Sequence, residues 1–156
     1  MRNLISKLTL FLALLLQCCT DHRDYYTFSD HNFIIDYPNG WQVTHEIDGL
    51  KLSSNDNYAT ATVANYPNAA GLSLEEIRNF ILKLNHASEN PENVKMTQTQ
   101  DSIEYYYEHT EKDFKWLTKI IRRNNSFHLL RINCQINKWE LNKSILLHIV
   151  ESFKFR

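Results

Sequence analysis

Residues 114–134 have the sequence FKWLTKIIRRNNSFHLLRINC, in which apolar and polar side chains alternate on both sides of Asn124-Asn125. A period of two is typical of a β-strand, whose successive side chains lie on opposite faces of a sheet. Because asparagine tolerates turn conformations, the stretch predicts a hairpin of two antiparallel strands. One face of the first strand carries Phe114, Trp116, Thr118 and Ile120, and the other carries Lys115, Leu117, Lys119, Ile121 and Arg123.

Further strands are predicted on both sides of this hairpin. Pro38-Asn39-Gly40 supplies turn chemistry, in which Asn39-Gly40 accepts positive φ, and Asp48-Gly49 is a strong signal for a two-residue hairpin turn. The segments between such turns are β-branched, aromatic or alternating. The additional predicted strands cover residues 33–37, 41–47, 50–54, 58–66, 94–100 and 103–110.

Two segments change from a period of two to a helical period. Ser73-Leu74-Glu75-Glu76 is a capping box, which predicts a helix over residues 74–87. Asn137 is the predicted N-cap of a second helix, whose apolar stripe consists of Trp139, Ile145, Leu146, Ile149, Val150 and Phe153. The order of strands, helix, strands and helix predicts an α+β fold, with an antiparallel β-sheet covered by helices.

The N-terminus is predicted to be an export signal. Arg2 and Lys7 precede a nine-residue apolar core, Leu8–Leu16. This core is shorter than the roughly 20 residues that span a bilayer. Cys18 and Cys19 follow the core, as in a bacterial lipoprotein signal, where a cysteine thiol receives a diacylglyceryl group. The predicted lipid attachment is Cys19, because a small residue precedes it. Attachment at Cys18 and an ordinary secretory signal are the alternatives.

The predicted organisation is a lipoprotein signal peptide over residues 1–18, a tether over 19–30 and a single domain over 31–156. Loss of residues 1–18 leaves 15 basic residues against 18 acidic residues and a net charge of −3. This balance argues against a nucleic-acid binder, which normally carries a basic excess. The hydrophobic content of 43% is that of a globular protein and excludes the disordered classes.

Several short motifs occur together with this order of elements. Phe33, Tyr37-Pro38 and Gly40-Trp41 open the domain, and Glu151-Ser152-Phe153 closes the last helix. The combination resembles the PsbP-like superfamily, which includes a photosystem II extrinsic subunit, a Ran-binding nuclear import factor and bacterial lipoproteins. The resemblance implies an α-β-α sandwich around an antiparallel sheet. It implies no shared catalytic site, so no functional residue is carried over.

No motif in the sequence points to catalysis, a cofactor or a metal. The three glycines form no phosphate loop, and the seven histidines have no zinc spacing with cysteine or with one another. Cys134 lies on the strand face of Leu130 and Ile132, which indicates a small core residue. The carboxylates of Glu104 and Glu108, with Glu111 and Asp113, suggest either a solvated strand face or a cation site, and the solvated face is favoured. We therefore predict a protein that is not an enzyme.

Two groups of residues in adjacent predicted strands form the possible partner surface. Exposed tyrosines suit recognition, and basic side chains on one strand face suit an acidic partner or anionic headgroups. The alternatives are ordinary core packing for the tyrosines and a solvated edge strand for the basic residues. The candidate residues are Tyr105, Tyr106, Tyr107, Lys115, Lys119 and Arg123.

The leading hypothesis is a non-catalytic envelope lipoprotein whose domain binds another protein at the membrane surface. The alternative is a small-ligand carrier or chaperone with a pocket between sheet and helix, in which Trp41, Trp116 and Trp139 converge with the tyrosines. An envelope hydrolase is the third possibility, and no residue spacing supports it.

Overall fold

The computed structural model describes residues 24–47, 49–66, 72–84, 91–99, 102–123 and 126–156. The predicted signal peptide with Cys18 and Cys19 lies outside the described residues, as do Asp48 and the Asn124-Asn125 turn. Neither of the helices found in these ranges is long and apolar enough to cross a membrane.

The described residues form ten strands and two helices. Every predicted strand is present with its ends shifted by a few residues, and both predicted helices are present. The strands are β1 Tyr25–Ser29, β2 Phe33–Pro38, β3 Gln42–Glu46, β4 Gly49–Ser53, β5 Ala59–Tyr66, β6 Glu92–Gln98, β7 Ser102–Glu111, β8 Phe114–Arg123, β9 Ser126–Gln135 and β10 Lys154–Phe155. The helices are α1 Leu74–Leu84 and α2 Ile136–Ser152.

Seven strands form one antiparallel sheet in the order β3-β4-β5-β9-β8-β7-β6. The hairpin of β8 and β9 pairs along its whole length, from Phe114 opposite Gln135 to Arg123 opposite Ser126. β5 then pairs with β9, although α1, β6, β7 and β8 separate them in the chain. The hairpin predicted from residues 114–134 therefore joins the two halves of the sheet.

A smaller sheet has the order β1-β2-β10. Tyr25–Ser29 is a strand, so the chain enters the fold within the range that the sequence assigned to a tether. β1 pairs with β2, and Phe28 packs against the core. β10 has two residues and was not predicted, because so short a strand has no pattern of its own.

α2 packs on one face of the large sheet and completes the main core. The buried residues of this helix are those of the predicted stripe, and Cys134 beneath them is fully buried as predicted. The predicted N-cap at Asn137 is wrong, since α2 begins at Ile136 and follows β9 directly. The backbone N–H of Ile136 donates to the carbonyl of Asp113 at 2.9 Å, so the turn between β7 and β8 fixes where the helix begins.

α1 lies on the opposite side of the sheet and begins with the predicted capping box. The N–H of Ser73 donates to Glu76 Oε2 at 2.7 Å, and the N–H of Glu76 donates to Ser73 Oγ at 3.2 Å. Ile77 is fully buried in a second core cluster with Tyr107, Ile120, Phe127 and Leu129. The fold is mostly antiparallel β with two helices, which is more β-rich than the sandwich implied by the resemblance.

Candidate functional site

A cavity of about 540 Å³ lies between the β6–β7–β8 edge of the large sheet and the C-terminal half of α2. We call it the α2 cavity. Its wall combines aliphatic, aromatic and charged side chains, with most of the carboxylates on the sheet side. The lining residues are Asn93, Val94, Lys95, Thr97, Glu104, Tyr106, Glu108, Lys119, Leu147, Val150 and Glu151.

Lys119 lies at the bottom of this cavity and binds the end of α2. Its Nζ donates to the carbonyl of Phe153 at 2.8 Å and to that of Val150 at 3.3 Å. The last carbonyls of a helix have no partner within the helix, and a cation there is favoured by the helix dipole. The same Nζ lies 3.3 Å from Glu104 Oε2. Lys119 therefore fixes the C-terminus of α2 on the sheet.

Lys115 and Tyr106 hold the carboxylate of Glu108, which is buried beside the cavity. The Tyr106 hydroxyl donates to Glu108 Oε1 at 2.7 Å, and Lys115 Nζ lies 3.0 Å from Glu108 Oε2. Burial by itself raises the pKa of Glu108, but hydrogen bonds from Tyr106, Lys115 and Asn93 outweigh it and hold that pKa below its ordinary value. Burial and the Glu108 carboxylate raise the pKa of Tyr106. The Glu108 carboxylate is therefore ionised, and the ammonium group of Lys115 balances its charge.

The three predicted tyrosines divide between the two faces of β7, as their alternation indicates. Tyr106 faces the α2 cavity, whereas Tyr105 and Tyr107 belong to the second core, with ring centroids 5.6 Å apart. Tyr107 is fully buried, and Tyr105 is half-buried. In this conformation Tyr107 is not available to a partner.

The predicted basic residues all make internal contacts. Lys119 is 8% exposed, and Lys115 is half-buried with its Nζ 4.9 Å from the ring centre of Trp139. The guanidinium carbon of Arg123 lies 5.3 Å from the ring centre of Phe155. The charged side chains that stay exposed near β6 are mainly carboxylates, those of Glu92 and Glu104 at 56% and 42%.

The tryptophans do not converge on a pocket, so this part of the ligand-carrier hypothesis is wrong. Trp41 contacts Tyr58 near one end of the sheet, Trp139 lies under Lys115, and Trp116 stacks on His109 in β7. Tyr106 is the aromatic side chain in the lining of the α2 cavity. Sequence alternation places Tyr106 and Lys119 on neighbouring strands but gives no sign of the space between sheet and helix.

No metal centre is formed by the candidate carboxylates within the described ranges. No group of three His, Cys, Asp or Glu side chains there is arranged to hold an ion. Glu104 and Glu108 are each paired with a lysine. Burial raises the pKa of the Cys134 thiol to about 11, which leaves it protonated and unreactive at neutral pH.

No family model and no curated protein matches the chain. Solved structures do match it. Cyanobacterial PsbP from Synechocystis is 14% identical, with a TM-score of 0.65 over 88% of this chain and 96% of that one. A crystal structure from Bacteroides thetaiotaomicron is 12% identical, with a TM-score of 0.52 over 80% of this chain, which spans 45% of that one.

LpqN, a Mycobacterium tuberculosis protein involved in cell envelope biogenesis, is 11% identical, with a TM-score of 0.46 over 86% of this chain and 91% of that one. Identities this low are evidence about the fold alone, and the cyanobacterial match covers nearly the whole of both chains. The chain therefore has a PsbP-like fold, as its sequence motifs predicted.

Proposed function

We propose that this protein is a non-catalytic lipoprotein of the bacterial cell envelope whose PsbP-like domain binds a protein partner at the membrane surface. The anchor rests on the cysteines after the apolar N-terminal core, with Cys19 as the attachment site and Cys18 as the alternative. The non-catalytic role is supported by the internal pairing of Glu104 and Glu108 with the two lysines, which ties up these four charged groups beside the α2 cavity.

The observation that carries partner binding is strand β6. It lies at the edge of the seven-stranded sheet, and all seven of its residues are exposed. An edge strand presents unpaired backbone N–H and C=O groups to which an extended segment of another protein can add. Val94 and Met96 add apolar area, being 49% and 62% exposed. We therefore place the partner along β6.

The charges around β6 indicate the chemistry of that partner. Lys115 and Lys119 are neutralised by Glu108 and Glu104, so they add little to the outer potential. Glu92 and Glu151 are exposed on the same side, and Lys95 is the basic residue of β6 itself. An extended segment with apolar and basic side chains complements this edge better than the acidic partner expected from the sequence.

Met96→Lys is expected to reduce partner binding at least about tenfold, because it places a positive charge in the apolar part of a contact whose partner is itself basic. Leu141→Lys is the matched control, since Leu141 is an exposed apolar residue on α2 that does not line the α2 cavity. The measurement is quantitative cross-linking and capture of the partner from envelope membranes with the full chain. Equal recovery of the same stoichiometric partner by Met96→Lys and by the unmodified protein would contradict the proposal.

A small-ligand carrier is the second candidate function. The α2 cavity favours it, because its volume lies in the range of ligand sites and Tyr106, Leu147 and Val150 give it an apolar side. Native mass spectrometry of the protein from its own cells should then show a retained ligand. Leu147→Trp would fill the cavity and remove that mass, whereas Leu141→Trp, on the exposed side of α2, would keep it. Absence of any retained mass would contradict this candidate.

A further inference from the structure

A cluster of buried polar atoms lies on the face of the sheet opposite α2. His109 Nδ1 and Nε2, Thr118 Oγ1 and Arg131 Nε are all buried, and none has a hydrogen-bond partner within the described part of the chain. His109 and Thr118 are fully buried side chains. Native proteins pair nearly all such groups, because an unpaired buried donor or acceptor costs about 1–3 kcal/mol. Four such atoms on three neighbouring strands indicate a polar partner that the described residues do not supply.

The sheet register brings these side chains together. Thr118 of β8 is directly opposite Arg131 of β9, and His109 of β7 is opposite Trp116 of β8, one row away. The ring of His109 stacks nearly parallel on Trp116 with centroids 5.8 Å apart, and the guanidinium carbon of Arg131 lies 4.6 Å from the centre of the Trp116 ring. Trp116 therefore holds the arginine and the histidine beside one another.

Among the described carboxylates, Glu111 acts on the charge of Arg131 electrostatically but without the contact of an ion pair. Arg131 forms no ion pair with a described carboxylate, in contrast to Lys115 and Lys119 on the other face. Burial lowers the pKa of Arg131 and outweighs the opposite effects of Tyr107, Tyr66 and Glu111. Burial and the charge of Arg131 also lower the pKa of His109 against the carboxylates of Glu111 and Glu92, so the imidazole is neutral. A desolvated cation beside neutral hydrogen-bonding groups is stabilised by an anion.

We propose that Arg131, His109 and Thr118 form a binding site for the anionic group of a small ligand, a carboxylate or a phosphate. Arg131 offers a planar fork of donors, neutral His109 offers one ring N–H, and Thr118 offers its hydroxyl. Arg131 is half-buried, whereas His109 and Thr118 are fully buried, so the site is reached from solvent at the arginine. This site is separate from both the α2 cavity and strand β6.

Titration of the full chain with sodium phosphate, and separately with sodium acetate, tests the site while Trp116 serves as the fluorescent reporter. Ionic strength is held constant with sodium chloride. We expect a saturable change in fluorescence that is absent from Trp116→Phe. Arg131→Met should weaken binding about tenfold or more, because it removes the charge and all the donors of the guanidinium. The anion that binds more tightly identifies the group as phosphate or carboxylate.

Two further variants keep the test independent of folding. Arg123→Met is the matched control, because Arg123 is also half-buried over an aromatic ring, and it should bind the anion as the unmodified protein does. Thr118→Val removes an unpaired hydroxyl at constant shape, so it should weaken binding without lowering the unfolding temperature of the anion-free protein. Equal anion binding by Arg131→Met and the unmodified protein, or no saturable response to either anion, would overturn the proposal.

Discussion

Replacing Lys119 with methionine is expected to lower the free energy of unfolding by about 3 kcal/mol. Methionine keeps the apolar length of the lysine side chain, so the change isolates the loss of the ammonium group. Its removal leaves the carbonyls of Val150 and Phe153 without their donor at the buried end of α2. The lost ion pair with Glu104 contributes little to this figure, because that carboxylate is 42% exposed and screened by water.

Lys95→Met is the control for this prediction. Lys95 is exposed on β6, and its Nζ lies 5.8 Å from the ring centre of Tyr106, so its loss should change stability by only about 0.5 kcal/mol. Urea denaturation followed by circular dichroism gives both values. If Lys119→Met were as stable as Lys95→Met, the end of α2 would be held by apolar packing alone, and the position of the α2 cavity would not depend on the lysine.

The role of Lys119 illustrates what alternation can and cannot predict. The period of two correctly placed Lys115, Leu117, Lys119 and Ile121 on one face of β8. It could not show that α2 covers this face, since a row with two lysines has the pattern of a solvated or partner-binding surface. The end of the helix supplies the carbonyls that make a buried lysine favourable, and that contact spans more than 30 residues of sequence.

The hairpin of β8 and β9 could be predicted because its signals are local. The pairing of β5 with β9 and the addition of β10 to β2 depend on contacts between distant segments, so no window of sequence contains them. The cluster of His109, Thr118 and Arg131 was missed for a related reason. Each residue looks ordinary in its own strand, and only the register of three strands places the polar atoms side by side.

Gly49 shows a second limit of local signals. Asp48-Gly49 predicted a tight hairpin turn, and the chain does reverse between β3 and β4. Gly40 has a positive φ of 89°, as Asn39-Gly40 predicted, whereas Gly49 begins β4 with an ordinary backbone conformation. Gly49 is required for a different reason, because a Cβ there would overlap the backbone carbonyl of Val63 in β5.

Gly49→Ala is therefore expected to lower the free energy of unfolding by about 3 kcal/mol or more, because two paired strands must separate to admit one methyl group. Gly40→Ala is the matched control, with an expected loss of about 1–2 kcal/mol from the strained φ alone. The Cβ at Gly40 would meet only the side-chain nitrogen of Asn55 at 3.2 Å, which can move. Urea denaturation of both variants separates the two causes. A larger loss in Gly40→Ala than in Gly49→Ala would mean that turn conformation, rather than the close approach of β4 to β5, makes glycine necessary in this part of the fold.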